Sequence, residues 1–322
     1  MRAPLQPITL QEFEAARRRI AGTAIRTPLL RLYVDSPGNC EIHLKLETLQ
    51  PIGSFKIRGA LNAMRALPPE QLANGVYTAS AGNMAQGLAW AARELGVPCG
   101  IVAPDHAPRT KLEAIERLGA TVRLIPFAEW WTAILDHNVP GERGTFIHPG
   151  ADPMVMAGNG TIALEILEEL PDADAILVPY GSGGLACGIA CAAREISPGI
   201  PVYAAELEGR APFAASLEAG HPVTIDYTAS FVDGMGGKSV LDEMWPLAKS
   251  SLAGSLRASL RQVADAVKLL VERARVVAEG AGAAPVAAAL ANDVGAKKIV
   301  CVVSGGNIDT KKLARILAGE IP

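Results

Sequence analysis

Only 5% of the 322 residues are aromatic, cysteines number just five, and no block of like charge exceeds Arg17-Arg18-Arg19. The cysteines (Cys40, Cys99, Cys187, Cys191, Cys301) are odd in number, scattered and mostly set in apolar sequence, which argues against a disulfide framework and reads as buried thiols. A net charge of −3 without a basic patch leaves no electrostatic footprint for nucleic acid or an anionic membrane. No apolar stretch is long enough to span a bilayer, and the N-terminus enters a charged helical pattern without a signal core, so a cytoplasmic address is expected. What the chain does have is apolar mass. With 49% hydrophobic residues it can bury a large core, and at roughly 150 residues per domain its length suggests two.

Thr9-Leu10-Gln11-Glu12 has capping-box spacing, which predicts a helix from about Leu10 to Ile20. Beyond it, short apolar runs at 42–46, 76–79, 100–103, 122–125, 175–179, 202–206 and 299–303 alternate with Ala-rich helical patterns. Strands uniformly apolar along their length are buried on both faces, and parallel strands need helical crossovers, so the fold class is open α/β with mostly parallel twisted sheets. The stretch 61–146 has its own β-α-β-α-β rhythm and reads as a smaller lobe inserted between 1–60 and 147–322, with a ligand cleft between the lobes. Ligands of such sheets sit at the carboxyl ends of the strands.

Four segments at such strand ends could carry chemistry. In Gly53-Ser54-Phe55-Lys56-Ile57-Arg58-Gly59, Ser54 is a candidate N-cap that places Lys56 in a first helical turn. A cation there opposes the helix dipole, and positive potential would lower its pKa toward that of a nucleophilic amine; taken alone, an ordinary solvated lysine is the stronger reading. Ser80-Ala81-Gly82-Asn83 follows a strand and opens a helix, where free N–H groups suit a carboxylate; any strand-to-helix turn offers as much. Gly181-Ser182-Gly183-Gly184 exposes amides at a helix expected to begin near Leu185, which suits a phosphate. A dinucleotide stands level with it on this segment, since the next strand ends in Glu206, although Ala186 replaces the last glycine of that pattern. In Ser304-Gly305-Gly306-Asn307, the serine either meets a heterocycle nitrogen without bringing charge or caps the next helix.

Taken in order, these segments resemble the pyridoxal-phosphate enzymes of the tryptophan-synthase-β fold group, within it the threonine/serine dehydratase and serine racemase family. The resemblance runs from Thr27-Pro28-Leu29 through Leu44-Lys45-Leu46-Glu47, the four segments, the stretch 158–164, Asp233-Gly234 and Glu279-Gly280-Ala281-Gly282-Ala283. It implies a two-lobed fold type II enzyme with pyridoxal 5'-phosphate in the cleft, 1–60 and 147–322 holding the cofactor and 61–146 the substrate. It implies that Lys56 carries the cofactor as a Schiff base and moves the α-proton, with Phe55 against the ring and Asn83 on its phenolic oxygen. Gly181, Ser182, Gly183 and Gly184 would wrap the phosphate, Ser304 would meet the pyridine nitrogen, and Gly234 and Glu279 would line the ring. Ser80, Ala81, Gly82 and Met84 would face the substrate. The dinucleotide reading gives Lys56, Asn83 and Ser304 no joint role.

The implied reaction is elimination of a β-hydroxy-α-amino acid, threonine or serine by default, to a 2-oxo acid and ammonia. A neutral Ser304 leaves the ring a modest electron sink and favours prompt elimination. Ala81 stands where a racemase has a second proton donor, which disfavours racemisation. Met84 replaces the usual histidine, so a bulkier substrate such as phenylserine competes, whereas 3-hydroxyaspartate lacks an extra cation there. A non-catalytic cofactor-binding regulator has little support beside an intact lysine, asparagine and serine set. Glu206 matches the family's cation site but Pro212 replaces its second acid, so no metal is expected, and the five histidines lack ligand spacing. Tyr180 and Ser182 also depart from the pattern. Trp130-Trp131 is assigned to core or lobe interface rather than to substrate contact. The resemblance further implies a homodimer, and a chain stopping at Pro322 predicts no isoleucine feedback.

Overall fold

The computed structural model describes residues 2–322. After α1 (Leu10–Ile20), strands β1 (Leu29–Leu32) and β2 (Glu41–Leu46) lead into α2 (Lys56–Ala66) and a short α3 (Pro69–Ala73). Alternating units follow: β3 (Val76–Ala79), α4 (Asn83–Leu95), β4 (Cys99–Pro104), α5 (Arg109–Glu116), β5 (Thr121–Ile125), α6 (Phe127–Asp136) and β6 (Thr145–Phe146). The chain continues through α7 (Pro153–Glu169), β7 (Ala175–Pro179), α8 (Gly184–Ile196), β8 (Val202–Leu207), α9 (Pro212–Ala219) and α10 (Trp245–Ser251). It ends with β9 (Gly254–Ala258), α11 (Leu260–Leu269), α12 (Gly280–Ala291), β10 (Lys298–Val303) and α13 (Thr310–Leu317).

The strands form two sheets, one ordered β1-β2-β10-β7-β8-β9 and a smaller one ordered β5-β4-β3-β6. Every pairing is parallel except β1 with β2. Successive side chains of a strand point to opposite faces, and the packing follows that rule. Ile176 and Val178 join the cluster beneath α7 and α8, whereas Ala175 and Leu177 join the one beneath α11 and α12. The smaller sheet is likewise covered twice, by α2 and α4 on one face and by α6 on the other. Helix α1 carries the expected box: Thr9 accepts from the Glu12 amide, and the Thr9 amide donates to Glu12 Oε2 at 2.8 Å.

Strands β1, β6 and β9 are not signalled by apolar runs. The first and last lie at the edges of the large sheet and are mostly uncovered, and β6 is only two residues long, so none shows two-sided burial. Helix α2 runs unbroken through residue 60. A buried ionic network fixes it: Arg58 donates to Glu47 at 2.8 Å from Nε and to Glu165 at 2.6 Å, and Lys45 meets Glu165 at 2.8 Å. Burial alone would weaken the Arg58 charge, but the two carboxylates outweigh it and hold the guanidinium fully protonated. All five cysteines are free and buried. No helix among the described residues is long and apolar enough to cross a membrane.

Candidate active site

The carboxyl ends of β3, β7 and β10 and the start of α2 converge on one cleft of about 450 Å³. Lys56, Asn83, Gly181, Gly183, Glu279 and Ser304 all line it, and so do Phe55, Ser80, Ala81, Gly82, Met84, Ser182, Gly184 and Gly234. The structure therefore brings together every residue that the resemblance assigns to cofactor or substrate.

Backbone pairing sets Phe55 opposite Ser304, with Lys56 the next residue. The Phe55 amide donates to the Ser304 carbonyl at 3.0 Å, the Gly306 amide donates to the Gly53 carbonyl at 2.9 Å, and Ser54 bridges Gly305. This corrects the capping expectation. Ser54 is held in a strand-like bridge with its hydroxyl buried and unpartnered, and Phe55 occupies the cap position without any side-chain cap. The Lys56 amine lies 5.2 Å above the Phe55 ring and donates to the Pro149 carbonyl at 2.5 Å. Burial lowers its pKa to about 8, with the Glu279 charge opposing the shift. Loss of water, rather than positive potential at the helix start, thus readies the amine.

The loop that receives Lys56 is organised by a histidine absent from the sequence candidates. His148 Nδ1 accepts from the Gly150 and Ala151 amides at 3.0 and 2.6 Å. Two donors on Nδ1 require the proton on Nε2, and burial, with the nearby His137 and Lys56 charges, keeps the ring neutral. The same loop locks into the glycine run. A Cβ on Gly184 would lie 2.4 Å from the Gly150 carbonyl, and one on Gly150 would lie 1.8 Å from Ser182 Oγ. Gly183 has φ +90°, and its own Cβ would strike Met244 at 2.7 Å, so glycine is needed there on both counts. Helix α8 begins at Gly184, one residue before the position expected, so its free amides open directly on the cleft.

Facing the amine, Asn83 donates through Nδ2 to Glu279 Oε1 at 2.7 Å and accepts on Oδ1 from Asn307 at 2.8 Å. Asn307 thereby sets which way the Asn83 amide points, and the second Nδ2 hydrogen stays available. Burial, joined by the Asp233 charge, pushes Glu279 up to about 7, while Asn83, Lys111 and Lys56 pull the other way. Gly234 packs its backbone against this carboxylate, since a Cβ there would sit 3.1 Å from Glu279 Oε1. At the end of β3, Ser80 Oγ accepts from the Gly82 amide at 3.2 Å and shapes the turn that opens α4.

Met84 borders the cleft but is only 2% exposed, packed with Ile52 and Leu88, so it supplies wall rather than room. Glu206 lies elsewhere: its oxygens accept from the Phe213 and Ala214 amides, each at 2.9 Å, and from Ser255, so it caps α9. That removes the acid a ribose would need. Tyr180 turns into the core and stacks on Phe213 at 4.9 Å. Trp130 packs against the core cluster that contains Ile125 and Ile134, and both Trp130 and Trp131 also line the cleft. Among the described residues, no group of three or more His, Cys, Asp or Glu is placed to hold a metal.

A buried amine whose proton is loosened by burial, a glycine cradle at a helix N-terminus and an uncharged serine in the same cleft fit a phosphorylated aldehyde with a heterocyclic ring. Such a site on this fold is that of a cofactor-dependent enzyme acting on amines. The chain matches the model of the pyridoxal-phosphate dependent enzyme family over residues 20–305 and belongs to that family. It is 41% identical over 315 residues to an L-threonine ammonia-lyase of Thermotoga maritima, covering 96% of this chain and 78% of that one. A similar ammonia-lyase of Geobacter sulfurreducens is 43% identical over 281 residues, 86% of this chain and 69% of the relative. Among solved structures, maize serine racemase superposes with a TM-score of 0.86 at 32% identity, over 97% of this chain and 98% of that one.

Proposed function

We propose that this chain eliminates the β-hydroxyl of a threonine- or serine-type amino acid as water and releases the α-amino group as ammonia. A 2-oxo acid is left, one water being taken up again on hydrolysis. The observation that carries this reading is the Lys56 amine, held by Pro149 between the glycine cradle and Ser304 in a single cleft. When bound, pyridoxal phosphate supplies the aldehyde with which amines condense and the ring that accepts the α-carbon's electrons. Gly181, Ser182, Gly183 and Gly184 would hold its phosphate, Phe55 and Gly234 would border the ring, Asn83 would offer its remaining N–H to the phenolic oxygen, and Ser304 would meet the ring nitrogen. Lys56, released when substrate takes its place, accepts the α-proton at Nζ. The amides around Ser80, Ala81 and Gly82 hold the substrate carboxylate, and Glu279 stands beside the ring.

The serine hydroxyl at 304 would bring no counter-charge to the ring nitrogen, which would favour loss of the β-hydroxyl over a long-lived carbanion. The methyl of Ala81 cannot return a proton to the opposite face, which favours elimination over racemisation. In this reading 1–60 and 147–322 hold the cofactor, 61–146 holds the substrate, the enzyme is a cytoplasmic homodimer, and its partner is a small amino acid. The test is to supply the purified yellow protein with threonine and serine and measure 2-oxo acid and ammonia. Equal amounts of both are expected, and the Lys56→Ala variant should lose at least ~10³-fold in kcat. Inversion at the α-carbon in deuterium oxide without oxo acid would instead establish a racemase.

A further inference from the structure

Aromatic side chains are scarce in this chain: six Phe, four Trp and five Tyr. Yet Phe55, Phe127, Trp130, Trp131 and Tyr227 all line the one cleft. Phe55 belongs to the cofactor end. Of the other four, Phe127, Trp130 and Trp131 pack together on α6, and Tyr227 comes from the segment between α9 and α10.

These four come from both halves of the molecule. On α6, Phe127 and Trp130 stack with centroids 5.7 Å apart, and Trp130 meets Trp131 at 6.4 Å. Ahead of that helix, His106 adds a ring 5.5 Å from Phe127. The Tyr227 ring, which lines the same cleft, is steadied by the Arg210 guanidinium 4.2 Å above it, and Arg210 is itself held by the Val232 carbonyl at 3.3 Å. Trp131 reaches toward the backbone of Gly237, with Cη2 3.9 Å from where a Cβ would stand.

The charges at this end have partners or lie on ring faces. Lys111 donates to Asp233 at 2.7 Å, and Lys238 lies 5.7 Å over the Phe127 face. The polar needs of an amino acid are met elsewhere, by the 80–83 turn and Lys56. The surface left for the β-substituent is therefore π-faced and apolar. A hydrogen or methyl group would leave these rings uncovered, whereas a planar ring would stack among them.

Resting on the elimination reading above, we infer that the preferred substrate is a β-hydroxy-α-amino acid whose β-carbon carries an aromatic ring, phenylserine being the simplest. Phe127, Trp130, Trp131 and Tyr227 are its specificity-determining residues. The chemistry is unchanged: the α-proton passes to Lys56, the β-hydroxyl leaves with its electron pair and a proton as water, and hydrolysis gives an aryl 2-oxo acid and ammonia.

The experiment compares kcat/KM of the holoenzyme for phenylserine, threonine, serine and 3-hydroxyaspartate, scored as 2-oxo acid. Phenylserine is expected to lead threonine by at least ~10-fold, and Trp131→Ala and Phe127→Ala should each lower that ratio by ~10-fold while the protein stays yellow. A second readout needs no turnover. L-Phenylalanine, which has no β-hydroxyl to lose, should change the holoenzyme's tryptophan fluorescence at lower concentration than L-alanine, and Trp131→Ala should abolish the difference. A lead for threonine or serine would overturn this inference and leave the elimination reading standing. A lead for 3-hydroxyaspartate would overturn it too, making Lys238 the recognition group. Absence of oxo acid from every substrate would remove both.

Discussion

The two ends of the cleft are made of different material. At the glycine end, backbone meets backbone: Gly183, Gly184 and Gly150 approach so closely that a single added Cβ would collide. At the α6 end, large side chains face one another across half-open space, with Trp130 and Trp131 only partly covered and Phe127 exposed. A surface of amides and glycines can read phosphate and little else, while a surface of rings can be altered one residue at a time. In the proposed reading the first serves the cofactor and the second selects the substrate, with Lys56 on α2 lining the same cleft.

The strongest way to break this comparison is to remove what fixes α2 at the cleft. Arg58→Ala leaves Glu47 and Glu165 buried beside a cavity, with Lys45 as the remaining cation, and should lower stability by about 3–5 kcal/mol in chemical denaturation. Loss of less than about 1 kcal/mol would mean that α2 is held by apolar packing alone.

Acidity offers the next test, on protein stripped of cofactor. Lys56 is lowered to about 8 from 10.5, so the folded state is penalised while the amine is charged, and stability should rise between these pH values. Glu279 is raised from 4.5 to about 7, so the folded state binds its proton longer and stability should fall across that window. Each arm amounts to up to about 3 kcal/mol, and both should vanish in the Lys56→Met/Glu279→Gln double variant.

Smaller effects sharpen the contrast between the ends. Gly184→Ala pushes a methyl into the Gly150 carbonyl and should weaken cofactor binding by ~10–100-fold, measured by titration, without reordering the substrates. Met84→His should do the reverse. It places a polar ring where packing is nearly complete, costs about 1–3 kcal/mol, and shifts the ranking of kcat/KM toward small substrates by a few-fold. An unchanged ranking would show that Met84 contributes packing and no selectivity.

Much of the fold and of the cofactor end was legible because both depend on local pattern. Strands buried on two faces read as apolar runs, and the glycine loop, Lys56 and Ser304 each follow such a run. The edge strands β1 and β9 are only partly buried and each is interrupted by an arginine, so neither left such a signal. The cap assigned to Ser54 failed because its partner, Gly305, lies far away in sequence. His148 escaped notice for a related reason: its value lies in two backbone amides it accepts and in the loop those amides fix against Ser182. Trp130 and Trp131 are assigned by sequence to core or lobe interface; Trp130 does pack against the core, and that both also border the cleft was not legible, since sequence does not tell which opening a side chain faces.

The central claim is that one amine, Lys56, holds the cofactor at the glycine cradle. Reducing the yellow protein with borohydride and mapping its peptides measures this directly. The account predicts a stable pyridoxyl adduct on the peptide containing Lys56 and on no other lysine; an adduct at another lysine, or a colourless protein that yields none, would contradict it.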